Sequence, residues 1–447
     1  MKLSEMEATL REIRVSPVKT LGQNFLHDRN LAQWIVARAE LTPDDYVVEV
    51  GPGLGALTEF ALASGARVLA IEKDARLAKF LTTRFETDRL EVLHADALDF
   101  DVRTLFGQPR VKFIGNLPYN ISSQLLLQFT QYPSPISLCL CMLQKEMARR
   151  LSAEPRTSDY GALTLIVQLH YRVDYLRTVP STVFLPQPDV DSAFVKLTPR
   201  SIDEFPHHDP ELFKRLVRLG FSQRRKQLQK LLRDEVSNWG AAAARSGFDE
   251  KARAEELSLS QWIGLSNVAG AEEPTSNVVV ADEQFAVVDQ ADQVIGAAPR
   301  GEVHANNLLH RAVHILLFND AGELFLQKRS RLKDRHPCVW DSSAAGHVDA
   351  GEDYDEAAAR ELSEELGVSA TLRRVVKLPA SENTGQEFIW LYEGRHNGPF
   401  RLSRAEIDYG GFFPQDTVAA WLKARPGDFA PGFVECWEAF CRERATR

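Results

Sequence analysis

Cysteine is scarce. The 447 residues hold five, Cys139, Cys141, Cys338, Cys436 and Cys441, an odd number with no CxxC pair. That excludes a disulfide framework and a zinc knuckle and suits a reducing compartment. Long apolar runs are missing as well. None approaches the roughly 20 residues that span a bilayer. The N-terminus MKLSEMEATLREI is charged where a secretory signal has its apolar core. A soluble, cytoplasmic protein with no membrane partner is expected. Internal repeats and low-complexity tracts are absent too.

What is present is an ordinary globular composition, 44% hydrophobic and 26% charged. The chain is too long for one core, so two or three domains are expected. Charge divides it unevenly. Residues 1–265 carry 34 Lys+Arg against 33 Asp+Glu, and the remainder 19 against 29. A near-neutral half can hold a basic face, whereas the acidic half is a poor surface for nucleic acid.

From 45 to 145, β-rich runs alternate with helical spacing. The runs are YVVEV (46–50), RVLAIE (67–72), LEVLHA (90–95), VKFIGN (111–116) and SLCLCML (137–143). This α/β alternation predicts a doubly wound parallel sheet. Residues 201–265 turn helical and basic around FSQRRKQLQKLL (221–232), which predicts a small helical subdomain after a sheet domain over 1–200. Small and polar residues at 266–279 read as a linker. Strand-like runs resume at 284–290, 311–319, 323–329 and 387–394, around one helix near 352–366, so a second domain is expected over 280–447.

The segment EVGPGLG (49–55) follows the first strand and opens a helix. Its glycines permit a sharp turn and close approach of a ligand to backbone amides. Glu72 ends the second strand, 17 residues past Gly55, close to the roughly 20 at which a carboxylate grips ribose hydroxyls. Asp96 ends the third strand, where it can accept from an adenine amino group. GNLPYN (115–120) ends the fourth, beside the same crevice. An adenine amine is a poor nucleophile because its lone pair is delocalised into the ring. Asn116 can accept one amino hydrogen and the carbonyl of Leu117 or Pro118 the other, drawing that pair back onto nitrogen. Tyr119 can stack on the base, which must leave its own stack to arrive there.

Residues 1–265 resemble the ribosomal small-subunit RNA adenine dimethyltransferases nearly end to end. The matching segments are LGQNFLHD (21–28), EVGPGLGALT (49–58), GNLPYNIS (115–122), QKEMARRL (144–151), YGALT (160–164), VFLPQPDVDSAFVKL (183–197) and FSQRRKQL (221–228). The resemblance implies a Rossmann-like methyltransferase that uses S-adenosylmethionine to place two methyls on each of two adjacent adenines near the 3′ end of small-subunit (16S) rRNA. The partner would be the immature 30S subunit. It implies that Gln23, Asn24 and Leu26 close over the cofactor, with Gly51 and Gly53 against its amino-acid part, Glu72 on ribose, Asp96 on adenine and Asn116 beside it. Asn116, Leu117, Pro118 and Tyr119 would hold the target base, with Phe184 on its other face. Arg224, Arg225, Lys226 and Lys230 would contact phosphates, with RNA shape and exposed loop bases supplying specificity. Two alternatives stay open: a large-subunit methyltransferase of the erythromycin-resistance type, against which DVDSA and RRK speak, and an assembly factor acting mainly by binding the small subunit.

Residues 346–368, GHVDAGEDYDEAAARELSEELGV, match the Nudix box at every defined position, from Gly346 and Glu352 to Arg360-Glu361, Leu362, Glu364-Glu365, Gly367 and Val368. The second domain therefore resembles a Nudix hydrolase, an α/β/α sandwich. Glu361, Glu364 and Glu365 stand at i, i+3 and i+4, so they share a helix face. Their mutual repulsion suits a hard divalent cation such as Mg²⁺, with a carboxylate activating water and Arg360 orienting a glutamate. The substrate class would be an organic pyrophosphate or nucleoside-diphosphate derivative. LHRAVHILLFN (309–319) and PCVWDSSAAGH (337–347) resemble the branch shared with isopentenyl-diphosphate isomerase. The catalytic cysteine of that isomerase is replaced here by Ala344 and Ala345, and Cys338 lies on the wrong side of Trp340. His347 is open between a substrate or metal contact and a satisfied loop histidine. A binding module without turnover is the remaining alternative for this half.

Overall fold

The five β-rich runs form the parallel strands β1 (Tyr46–Val50), β2 (Arg67–Glu72), β3 (Leu90–His94), β4 (Val111–Asn116) and β5 (Ile136–Gln144). Two further strands, β6 (Tyr171–Val179) and β7 (Ser192–Pro199), complete a seven-stranded sheet in the order β3-β2-β1-β4-β5-β7-β6. β7 runs antiparallel to both of its neighbours. This is a computed structural model, and it describes residues 3–17, 23–108, 110–131, 133–201, 204–206, 208–271 and 283–446. The chain divides into two units, Met1–Pro274 and Thr275–Arg447.

In the first unit the inner strands β1, β2, β4 and β5 are buried on both faces. Val48, Leu69, Phe113 and Cys139 pack with Phe129 on one side, and Val47, Val68, Ile114 and Leu140 with Ile35 and Phe194 on the other. Two-sided burial is why these strands read as continuous apolar runs rather than alternating ones. The strand order reverses between β1 and β4, so the loops after β1, β2, β3 and β4 open on one crevice.

The helical subdomain consists of helices Pro210–Gly220, Leu228–Leu231, Trp239–Ser246 and Leu259–Ala271 around a core of Phe213, Leu228, Trp239 and Trp262. Residues 221–227 are turns, so the basic segment is helical only over Leu228–Leu231. The expected linker is also corrected. Residues 266–271 continue the last helix, with Leu265 and Ala269 buried in the subdomain core. Its small residues pack closely against that core, and composition alone disguised this; residues 272–279 lie outside the described residues. Gly220 shows how tight the packing is: a Cβ there would lie 2.5 Å from the indole of Trp262, itself fully buried, and 2.8 Å from Leu228. Gly220→Ala is expected to cost about 1–3 kcal/mol by overpacking, more than the up to about 1 kcal/mol gained in helix propensity. A lower urea midpoint with an unchanged m-value would record it.

The second unit is built on β10 (His310–Phe318). It follows β8 (Gln284–Val288) and β9 (Val294–Pro299), and precedes β11 (Leu324–Arg329), β12 (Trp340–Asp341) and β13 (Ala344–His347). β14 (Arg373–Leu378), β15 (Glu387–Arg395) and β16 (Ile407–Phe413) finish the mixed sheet. β10 pairs in parallel with β15 and antiparallel with β13. Alternate β10 residues serve opposite faces. Val313, Ile315 and Leu317 pack with Ala358 and Leu362 of the helix Tyr354–Leu366. On the other side Phe318 stacks on Phe440 of the helix Pro431–Ala445. This is the expected α/β/α layering. The glutamate helix is fixed at both ends, by a capping box of Asp353 and Glu356 and by Gly367 in the left-handed conformation. Among the described residues no helix is long and apolar enough to cross a membrane.

Candidate functional site

In the first unit, β1 delivers Glu49 and then the turn Gly51–Gly55, whose three glycines all have positive φ. Gly53 cannot bear a side chain, because a Cβ would lie 2.9 Å from the ring of Phe25. Glu72, at the end of β2, is buried. One oxygen accepts from the Gly53 N–H (3.2 Å) and the other from the Asp74 N–H (2.9 Å). Burial raises its pKa. A carboxylate has about four acceptor positions, so ribose hydroxyls can still be met. Glu49 is more enclosed: Thr58 Oγ1 donates to it at 2.6 Å, and burial lifts its pKa to about 7. Asp96 stands beyond β3 with its carboxylate already engaged, by the Leu98 N–H at 3.0 Å and by Lys73 Nζ at 2.5 Å. The lysine holds its pKa below the usual range.

GNLPYN closes this crevice. A Cβ on Gly51 would contact the Asn116 carbonyl and the Pro118 ring at 3.8 Å, so the two loops lie side by side. Asn116 Nδ2 donates to the carbonyl of Asn24 at 2.8 Å. That bond fixes which way the amide points and directs Oδ1 elsewhere. Leu117 is buried and donates its N–H to the Met142 carbonyl, while the Pro118 carbonyl closes a turn by accepting from the Ile121 N–H. Tyr119, half-buried, shares a hydrogen bond with Ser192 Oγ that holds its ring against β7.

Three expectations fare differently. Leu26 and Phe184 face each other across a two-residue strand pair, Phe25–Leu26 with Phe184–Leu185. Both belong to the core that contains Trp34 and Phe194, and Phe184 is 3% exposed. Its ring packs within that core in this structure. Asn24 acts through its backbone carbonyl; Gln23 sits half-buried just before that strand pair. Arg224 has partners within the protein. It bonds Glu255 at 2.8 Å and the carbonyls of Ser158 and Tyr160, so it anchors the loop 157–160. Arg225, Lys226 and Lys230 remain exposed.

In the second unit, Glu361, Glu364 and Glu365 occupy one helix face at different depths. Glu365 is buried, accepting from Gln327 Nε2 and the Ala345 N–H at 3.1 Å each. Glu361 is 13% exposed at its side chain and Glu364 61%. Burial, with repulsion between the two acids, raises the pKa of Glu365, and burial lifts that of Glu361 to about 7. Two deep carboxylates of one sign at adjacent turns are a donor set that fits a divalent cation. Arg360 organises the group, meeting Glu352 through both Nε and Nη2 at 2.9 Å, Glu361 at 2.8 Å and the His347 carbonyl at 3.0 Å. Gly346 is indispensable, since a Cβ would fall 2.0 Å from the Glu361 carboxyl carbon. The sequence pattern missed Lys73, Glu49 and Gln327. Only their positions at or just after strand ends, or on the strand beside the glutamate helix, could have marked them.

The family model described as ribosomal RNA adenine dimethylase matches residues 17–270, and that described as NUDIX domain matches residues 308–432. The ribosomal RNA small subunit methyltransferase A of Pseudomonas syringae pv. tomato is 41% identical over 251 residues, 56% of this chain and 93% of its own. Its counterpart in Laribacter hongkongensis is 39% identical over 254 residues, 57% of this chain and 96% of its own. A solved structure from Deinococcus radiodurans is 27% identical, covers 36% of this chain and 98% of its own, and has a TM-score of 0.32. The chain belongs to the ribosomal RNA adenine dimethylase family and carries a Nudix domain in its C-terminal part.

Proposed function

We propose that the first unit transfers methyl groups from S-adenosylmethionine to the amino groups of two adjacent adenosines near the 3′ end of small-subunit rRNA, and that the second hydrolyses an organic pyrophosphate or nucleoside-diphosphate derivative with Mg²⁺. The observation that carries the first half is the Asn116–Asn24 hydrogen bond. With Nδ2 committed to a carbonyl, Oδ1 is presented as an acceptor for one amino hydrogen. The Leu117 carbonyl takes the second, since that of Pro118 already closes its turn. Glu72 holds ribose hydroxyls and Asp96 the cofactor adenine, with Lys73 yielding or sharing its place. Tyr119 packs against the target base. Arg225, Lys226 and Lys230 meet phosphates, an interaction that weakens with salt. S-adenosylmethionine, when bound, supplies an electrophilic methyl carbon on a sulfonium.

In the second unit Glu361 and Glu365 hold the cation, Glu364 approaches it from solvent, and Arg360 keeps Glu361 in place. Mg²⁺, when bound, neutralises charge on the pyrophosphate oxygens. The test is direct. The full chain is incubated with labelled S-adenosylmethionine and undermethylated small subunits, and separately with a panel of nucleotide pyrophosphates and Mg²⁺. Two methyls on each of two adjacent adenines, and phosphate release that chelator abolishes, are expected. Label on the large subunit alone, or no turnover of any pyrophosphate, would refute the corresponding half.

A further inference from the structure

A cavity of about 460 Å³ opens on the first unit, outside both sites described above. Arg149 lines it from the helix Lys145–Leu151, Glu154, Thr157 and Asp159 from the loop that follows, and Tyr175 and Thr178 from the edge strand β6. Two of these walls spring from the residues that hold the GNLPYN loop. Ser192 of β7, which shares a hydrogen bond with Tyr119, pairs with Gln144 at the end of β5 and with Val179 at the end of β6. The residue after Gln144 begins the helix, and Thr178 precedes Val179, about 3.3 Å back along the strand. A nucleotide joined to the target base can therefore reach the cavity.

The walls are tied down from behind. Gln168 Nε2 donates to the carbonyls of Leu151 (2.9 Å) and Ala153 (3.2 Å), which fixes the end of the helix. Arg224 grips the carbonyls of Ser158 and Tyr160, the Arg156 N–H donates to the Glu255 carbonyl at 2.7 Å, and the Tyr160 hydroxyl donates to the Leu257 carbonyl at 2.8 Å. Arg149 and Asp159, by contrast, make no hydrogen bond or ion pair among the described residues, although both line the same cavity. Two carboxylates against one guanidinium repel a string of phosphates and admit a single one. Asp159 only accepts, so it suits a ligand that carries N–H groups. A tyrosine ring is a stacking surface for an unpaired base. The volume falls within the range of about 300–1,000 Å³ at which pockets enclose a small ligand.

We propose that this cavity holds the nucleotide next to the target, the second of the two adjacent adenosines, unpaired and on the same RNA strand. The inference rests on the methyl transfer proposed above. Arg149 meets the phosphate that joins the two nucleotides, Tyr175 stacks on the base, and Asp159 accepts from its amino group. The cavity lies to one side of the GNLPYN loop, so it receives the neighbour on the 5′ or the 3′ side of the target, not both. The two adenosines are therefore read unequally. Methylation of one depends on an intact amino group beside it, and methylation of the other does not.

Purine riboside, an adenosine without its amino group, tests the pairing with Asp159. Small subunits are reconstituted with rRNA that carries purine riboside at one or the other of the two positions. The full chain is then assayed for kcat/KM of methyl transfer to the remaining adenosine. For the wild type, one placement is expected to lower it about 10-fold, the scale of one hydrogen bond to a charged group, and the other to leave it unchanged. Asp159→Ala should show about the same loss on unmodified subunits and no further loss with purine riboside. Tyr175→Ala should raise KM about 10-fold through lost stacking, and Tyr175→Phe should restore it. Both side chains are half-buried, and circular dichroism checks that each variant is folded. A wild type indifferent to both placements would overturn the proposal, as would an Asp159→Ala variant that still discriminates between them. Absence of methyl transfer by the wild type to unmodified subunits would refute the underlying reading of the first unit, and that control keeps the two failures apart.

Discussion

Asn116→Ala is expected to lower the rate of methyl transfer by about 10²–10³-fold, the usual loss when one aligned group that stabilises developing charge is removed, while RNA binding stays within threefold. Adenine's amino nitrogen attacks only when its lone pair leaves conjugation with the ring. Two acceptors in fixed positions favour that geometry, and Asn116 Oδ1 is one of them because Nδ2 is anchored on Asn24. Alanine removes both the acceptor and the anchor. It leaves the crevice otherwise intact, since Leu117 is held by burial and by its own bond to Met142. Asn116→Asp separates the two losses. It restores an acceptor, but sets a carboxylate against the Asn24 carbonyl, so it should remain far below wild type. Single-turnover methylation with labelled donor measures the rates, and filter binding of undermethylated subunits measures affinity. Transfer within threefold of wild type in Asn116→Ala would remove the basis of the site. If small subunits matured normally on the inactive variant, binding rather than methylation would be the dominant role.

Much of this architecture was legible because local and global signals agreed. Four of the five parallel strands, β1, β2, β4 and β5, are buried on both faces, so they appear as largely apolar runs with little competition from other patterns. The Nudix box was legible for a different reason: cation ligation, helix capping and the approach of Gly346 to Glu361 each impose a residue at a fixed offset. What escaped was set by long-range contact. β6, a half-exposed strand, and β7, a largely buried one, are antiparallel strands whose pairing is decided by partners elsewhere in the sheet. The partners of Arg224, Glu255 and the carbonyls of loop 157–160, are not displayed by a sequence. The burial of Phe184 likewise depends on the partner strand at Phe25–Leu26.

Gly346→Ala is the sharpest test of the second unit, because it adds one methyl group and changes no charge. The new Cβ would lie 2.0–2.4 Å from the carboxyl atoms of Glu361, so one of the two must move. The backbone has little freedom, being paired with Val313 of β10. The side chain of Glu361 therefore yields, breaking its 2.8 Å bond to Arg360, whose other bonds to Glu352 and the His347 carbonyl keep the guanidinium where it is. The outcome is a folded domain with a displaced ligand. The stability cost should be about 1–3 kcal/mol, as for other overpacked sites. Pyrophosphate hydrolysis should fall about 10²-fold or more, since an ion contributing several kcal/mol to the transition state loses a carboxylate, and each 1.36 kcal/mol is tenfold. Glu361→Gln should match that loss without the stability cost, because its amide fills the same space without the charge. Methyl transfer by the first unit should be untouched in both variants, which controls for the fold of the rest of the chain. Hydrolysis at the wild-type rate in Gly346→Ala, with Mg²⁺ affinity unchanged, would mean that Glu361 does not hold the catalytic ion.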